Sequence, residues 1–254
     1  MRAHSKAILY DEFRQQAYFR NDRERILTLI LTLILSLVQA PPLMKIVLFG
    51  ATGNIGNVIL DEALNRGHQV VAVVRDPAKL ATKHAALTVV QGDVAHPASY
   101  AGALPGTEAA IASLNDHADP ANVPRQATLL LDALSAGGVH RFAWVGGAGS
   151  LETAPGVRVI DDPGFPEAWK VPANAQVDAL EVFRASKAPI DWTYISPAAE
   201  IAPGERKGSF RVGGEQLLTD AQGHSRISIA DFAIGVLDRI EKGDAAKKRV
   251  TFAY

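Results

Sequence analysis

The stretch "KIVLFGATGNIG", residues 45–56, decides the fold. Residues 45–49, "KIVLF", form a short apolar run that ends at a glycine, the pattern of a strand buried in a parallel sheet. Gly50, Gly53 and Gly56 then stand three apart. Over residues 55–66, Ile55, Ile59, Leu60, Ala63 and Leu64 fall at helical spacing, and Gly67 stands at the expected stop. A glycine turn between a buried strand and a helix, with a second strand about 20 residues on, is the pattern of a dinucleotide-binding loop. Gly50 permits the sharp turn, Gly53 lets the backbone approach a pyrophosphate, and Gly56 lets the helix pack closely on the sheet. Thr52, Asn54 and Ile55 complete the loop, whose helix N-terminus offers free N–H groups and a partial positive charge to phosphates. Glycines are common in tight turns, so a ligand-free strand–helix turn is the alternative reading.

Outward from this loop, apolar runs alternate with helical spacing. "QVVAVV" (69–74), "LTVVQ" (87–91), "AAIAS" (109–113), "RFAWVGG" (141–147) and "DWTYIS" (191–196) read as strands. A helix is expected from about Pro124 to Ala136, stopping at Gly137-Gly138, and another over residues 173–187. This alternation predicts an α/β fold, a Rossmann-type doubly wound parallel sheet with helices on both faces. Residues 197–228 are irregular, with loops and a short hairpin expected over 203–220. Ser228 and Asp231 have capping-box spacing ahead of a helical face made by Phe232, Val236, Leu237 and Ile240. "RVTFAY" is expected to end the chain as an edge strand. The domain is expected to span 44–254, with 197–228 on the substrate side.

Composition narrows the function classes. The chain has 254 residues, 48% hydrophobic and 21% charged, which are ordinary globular values. The net charge of −1 gives no basic excess, so nucleic acid is not an expected partner. With no cysteine, disulfide frameworks, thiolate metal sites and cysteine nucleophiles are excluded. No metal is expected, because no histidine or carboxylate cluster has ligand spacing.

The end of the second strand selects the nucleotide. An acidic residue there would bind the ribose 2′-hydroxyl of NAD. Here Arg75 occupies the position, and a guanidinium suits a 2′-phosphate through paired, charge-assisted hydrogen bonds. Asp76 follows and would blunt that preference. The expected cofactor is NADP(H), with NAD(H) as the second possibility and a simple solvated arginine as the alternative for Arg75.

"GATGNIG", "VRDP", "QGDV", "VGGAGSL", "DWTYISPAA" and "ISIADFA" occur in this order. Together they resemble the atypical short-chain dehydrogenase/reductases of the NmrA-like branch, in particular the NADH-flavin reductase group related to biliverdin-IXβ reductase. The resemblance covers about residues 44–254, and "VGGAGSL" followed by "DWTYISP" is its most specific part. It implies that Asp93 and Val94 flank the adenine, Asp93 being alternatively a turn or cap residue. It further implies that Ser113, Leu114 and Asn115 follow the fourth strand into the cofactor site. Val145, Gly146 and Gly147 would lie beside the nicotinamide, with Ser196, Pro197 and Ala198 as the far wall. Tight packing at strand ends is the alternative for these last two sets.

The Tyr-x-x-x-Lys pair of the usual short-chain dehydrogenase is absent. Four residues after Tyr10, Tyr18, Tyr100 and Tyr194 stand Arg14, Asp22, Leu104 and Ala198. Without that proton-donating pair, hydride transfer to a flavin or quinone, for which solvent supplies the proton, fits better than carbonyl reduction. Lys170, Ser150 and His117 are candidate helpers, each with a solvated-loop alternative, and Tyr194 is read as core. An NmrA-like redox sensor that binds NADP(H) without turnover is the rival reading. A sugar-nucleotide epimerase is the third, disfavoured by the missing tyrosine. A monomer or homodimer is expected.

Residues 1–43 differ from the rest. "ILTLILTLILSLV" (26–38) is uncharged but shorter than the roughly 20 residues of a spanning helix. Three readings stand: a start placed too far upstream of Met44, a signal or membrane anchor ending near Val38-Gln39-Ala40, or an extra helix. The location is cytoplasmic under the first reading, exported or membrane-attached under the second.

Overall fold

In the computed structural model, described for Leu27, residues 42–116 and residues 118–254, the glycine turn lies at the middle of an eight-stranded sheet. The sheet strands are β1 (Lys45–Phe49), β2 (Gln69–Val74), β3 (Leu87–Gln91), β4 (Ala109–Ala112), β5 (Arg141–Val145), β8 (Asp191–Ser196), β10 (Arg211–Gly213) and β12 (Lys248–Ala253). Their order is β10-β12-β8-β5-β4-β1-β2-β3, and all neighbours are parallel except β10 with β12. Two small sheets complete the set. β6 (Glu152–Ala154) pairs with β7 (Val157–Arg158), and β9 (Glu200–Ala202) with β11 (Arg226–Ser228). The helices are α1 (Asn54–Asn65), α2 (Asn122–Ala136), α3 (Glu167–Ala185) and α4 (Ile229–Lys242).

The inner strands β1, β2, β4 and β5 read as largely apolar runs because both faces of the sheet are covered there, whereas the edge strands β3 and β10 are largely exposed. Ile46, Leu48, Val70, Ala72, Ile111 and Ala143 pack with α1 and α4. Val47, Phe49, Val71, Val73, Phe142 and Trp144 pack with α2 and α3 on the other face. At the centre of that second layer, the Phe183 ring lies 5.5–6.0 Å from the rings of Phe142, Trp144, Trp192 and Tyr194. The doubly wound expectation is met.

Three details depart from the sequence reading. α3 begins at Glu167, not at 173, and carries Pro172 inside it. A proline there removes one helix hydrogen bond, which is why the sequence suggests a boundary. β12 is not an edge, because β10 reaches back over it antiparallel, Arg211 opposite Ala253 and Gly213 opposite Thr251. The expected hairpin within 203–220 is therefore a long-range pairing. The Ser228 cap is half a capping box. Ser228 Oγ accepts from the Asp231 amide at 3.1 Å. The Asp231 carboxylate instead takes the amides of Lys207 and Gly208 and the Tyr254 hydroxyl, at 2.8–3.1 Å.

α1 and α4 are joined by a partly buried ionic cluster. Arg66 contacts Glu62, Asp238 and Glu241 at 2.8–2.9 Å. His68, fully buried, meets Glu241 through Nε2 at 2.8 Å and accepts the Met44 amide on Nδ1 at 3.2 Å. The expectations for residues 26–38 lie outside the described residues, among which no helix is long and apolar enough to cross a membrane.

Replacing Glu241 by Ala leaves Arg66 short of a carboxylate and His68 Nε2 unpaired in the interior. We expect a stability loss of about 3 kcal/mol, measured as a lowered urea midpoint at unchanged slope. A midpoint equal to that of the parent protein would show that the cluster does not hold α4 to α1.

Candidate cofactor and acceptor cleft

From β1 the chain moves outward through β2 and β3, and from β4 it moves the other way through β5, β8 and β12. The loops after β1 and β4 therefore part, leaving a crevice at the carboxyl ends of the strands, where open α/β sheets bind ligands. A cleft of about 660 Å³ fills this position. Six strand ends supply its wall: the glycine turn after β1, Arg75 after β2, Asp93 and Val94 after β3, Ser113, Leu114 and Asn115 after β4, Val145, Gly146 and Gly147 at β5, and Pro197 and Ala198 after β8.

The three glycines do different jobs. Gly50 has φ +83°, and a Cβ on it would stand 2.0 Å from the Ser113 carbonyl oxygen. A Cβ on Gly56 would stand 2.0 Å from the Gly50 carbonyl oxygen. Both are demanded by the chain's own backbone, and Gly56 lies behind the cleft wall rather than on it. Gly53 is different. Its φ is −84°, and a Cβ there would meet only the Gly50 oxygen, at an ordinary 3.4 Å. The fold itself tolerates a side chain at Gly53, which lines the cleft beside Thr52, Asn54 and Ile55. α1 has no side-chain N-cap and no acidic residue in its first turn. Its leading amides are left for a ligand, and their polarity suits an anion. This loop fits a dinucleotide pyrophosphate.

At the β2 end, Arg75 is exposed and makes no ion pair among the described residues. Asp76, which the sequence reading sets against it, turns its carboxylate to the Ala78 amide at 3.1 Å, capping the one-turn helix Pro77–Lys79. Asp93 likewise accepts its own turn, from the Ala95 amide at 2.9 Å, while lining the cleft. Asp116, not singled out from sequence, also lines it. The Asp119 amide, the Asn122 side chain and the Ala118 amide hold the Asp116 carboxyl below the usual range, with Arg75 adding to the effect.

The opposite half is fixed by Tyr194 and Gln176. Tyr194 is fully buried, as read from sequence; its hydroxyl donates to the Gln176 carbonyl oxygen at 2.7 Å and accepts from the Gly147 amide at 3.4 Å. Burial pushes its phenol well above the ordinary value. A Cβ on Gly146 would stand 2.1 Å from the Tyr194 ring, so only glycine fits. Gln176 donates to the Leu114 carbonyl oxygen and accepts from the Trp144 indole, each at 3.0 Å, tying α3 to β4 and β5. A glutamine on the core face of α3, between Ala175 and Ala179, was the available signal for it.

Of the proposed helpers, Lys170 and Ser150 do not line the cleft. Lys170 pairs with Glu167 at 2.7 Å, one helical turn away along α3, and does not line it. Ser150 is buried, and the Arg249 guanidinium donates to its carbonyl and hydroxyl oxygens at 2.8 and 2.9 Å, which turns the side chain away from the cleft. Arg249 is itself held by Glu215, which also pairs with Arg184. His117 lies outside the described residues. Ser196 is buried behind Pro197 and Ala198 and does not line the cleft.

The chain belongs to the NAD(P)H-binding family, whose profile matches residues 50–239. This agrees with the NmrA-like resemblance. Among solved structures, a Burkholderia pseudomallei protein named as a candidate exported protein is 43% identical. That match covers 84% of this chain and 100% of that one, with TM-score 0.77. A Bacteroides thetaiotaomicron protein named as a candidate epimerase is 36% identical over 84% of this chain and 98% of its own, with TM-score 0.78. A Streptococcus pneumoniae protein named as a candidate NADH-flavin reductase is 34% identical over 83% of this chain and 99% of its own, with TM-score 0.73.

Gly53→Val is expected to fold like the parent protein, because a Cβ there meets only the Gly50 oxygen at 3.4 Å, and to lose nucleotide binding by at least about a hundredfold, since a group placed over the loop clashes with it. Calorimetric titration with NADPH beside a thermal melt checks both. Undiminished binding by a folded variant would place the pyrophosphate elsewhere.

Proposed function

We propose that this protein is an NADPH-preferring oxidoreductase that delivers hydride to a small planar conjugated acceptor of flavin or quinone type. One observation carries the reading. The described wall of the cleft contains no tyrosine and no lysine, and its acceptor half carries no charged residue. Reduction of an ordinary carbonyl, or epimerisation through one, calls for a positioned acid or base at that end. A flavin or quinone ring does not. It takes two electrons and one hydrogen as hydride and its second hydrogen as a proton from water. The reduced nicotinamide, when bound, is the source of that hydride and is left oxidised.

The chain's own part is positional. The glycine turn and the α1 amides hold the pyrophosphate, Gly146 and Gly147 let a flat ring lie against the β5 end, and Tyr194 and Gln176 fix that floor. The Streptococcus pneumoniae relative named as a candidate NADH-flavin reductase supports the same acceptor class. Arg75, exposed and with its carboxylate neighbour engaged elsewhere, supports NADPH over NADH through its reach to a 2′-phosphate.

Two measurements test this. NADPH consumption by the full chain is followed with riboflavin, FMN and a simple benzoquinone, and turnover with at least one is expected. Tight NADPH binding with no turnover on any of them would contradict the reductase reading and favour binding alone. Arg75→Ala is expected to weaken NADPH about tenfold or more, in keeping with the loss of a charge-assisted pair, while leaving NADH nearly unchanged. Equal losses for both would remove the 2′-phosphate role.

A further inference from the structure

The acceptor half of the cleft also bears on which acceptor it takes. Trp169, Pro172, Ala173 and Gln176 lie at positions i, i+3, i+4 and i+7 of α3, one stripe along the helix, and all four line the cleft. Trp169 is 63% exposed, a large aromatic face left uncovered on the cleft wall. Its neighbour Val171 is as exposed but does not line the cleft, so exposure of this turn alone does not account for the placement. The lining that β5 and β8 add to this half, residues 145–148, 197–199 and Ile201, is uncharged.

Charge is distributed unevenly. The charged residues in the described wall are Arg75, Asp93 and Asp116, and all three follow β2, β3 or β4. None comes from β5, β8 or α3. The nearest charges in sequence to Trp169, Glu167 and Lys170, neutralise one another at 2.7 Å. A phosphate or carboxylate drawn into this half would lose water without gaining a charged partner from its described lining, which disfavours it. An aromatic ring would gain a stacking face and shed apolar surface.

We propose that Trp169 stacks on an uncharged planar ring at the acceptor end of the cleft, and that the site selects the ring while giving no recognition to an anionic tail. The ligand class is a neutral isoalloxazine or quinone ring. This rests on the reductase reading and deepens it.

The test compares riboflavin with FMN, and a neutral benzoquinone with its sulfonate, in steady-state reduction by the full chain. The neutral member of each pair is expected to match or exceed the anionic one in kcat/KM. Trp169→Ala is expected to raise the riboflavin KM roughly tenfold, as befits loss of one ring stack, with the NADPH KM unchanged and with most of the effect restored by Trp169→Phe. A tenfold preference for FMN or the sulfonate, or an unchanged riboflavin KM in Trp169→Ala, would overturn the proposal. If neither acceptor is reduced, the site is read directly by quenching of riboflavin fluorescence with NADP⁺-loaded protein. Saturable quenching that Trp169→Ala abolishes upholds the ring site although the reductase reading fails, and no quenching by the parent protein overturns it.

Discussion

Two backbone contacts that leave no room for a Cβ organise this molecule. Gly50 presses against the Ser113 carbonyl, and Gly56 against the carbonyl of Gly50 itself. The first brings the ends of β1 and β4 together at the point where the sheet reverses direction; the second seats α1 directly above that point. Everything else about the cleft follows. The α1 amides stand uncapped at its floor, the ends of β2 and β3 line one half, and the ends of β5 and β8 line the other. Gly53, between the two, is the glycine that the chain's own packing does not require.

The second half of the cleft depends on a tyrosine put to structural use. In Tyr194 the hydroxyl faces inward, bonded to the Gln176 backbone and the Gly147 amide, and its pKa moves away from the range in which a phenol passes protons near neutral pH. Tyr100 is also drawn out of that range, pushed up to about 12 by burial and by Asp93. Tyr194 is thereby tied by its hydroxyl into the floor of the cleft, and Tyr100 packs edge-on against Phe49 at the β1 side.

Much of the fold was legible because its signals are local. β1, β2, β3 and β8 occupy the apolar runs that predicted them, and the glycine spacing marked the switch point. Pro172 misled because its lost hydrogen bond is local while the packing that carries α3 through it, Ala175, Ala179 and Phe183 against the sheet, is not. β10 was illegible for a similar reason: three residues, two of them exposed, pair with the far end of the chain without any periodicity of their own. In the cleft, most lining residues named from sequence belong to motifs, and lining residues without motifs went unnamed. Gln176 and Asp116 act through hydrogen bonds to atoms distant in sequence or in turns of no fixed pattern. Trp169 needed the helix to begin before Pro172 to come onto the stripe that faces the cleft. Lys170 and Ser150 were credible from sequence because a loop near a strand end has the right chemistry. In the structure Glu167 and Arg249 engage them.

The claim that the chain positions but does not protonate is open to one direct measurement. The rate of flavin reduction by the full chain is compared for NADPH and for NADPH carrying deuterium at the transferred position, across neutral pH. A primary isotope effect on kcat/KM that stays constant, with no inflection in rate from mildly acidic to mildly alkaline conditions, is the predicted result. An inflection near the ordinary histidine value of about 6.5, accompanied by a changing isotope effect, would show a protein group donating the proton and would contradict the account.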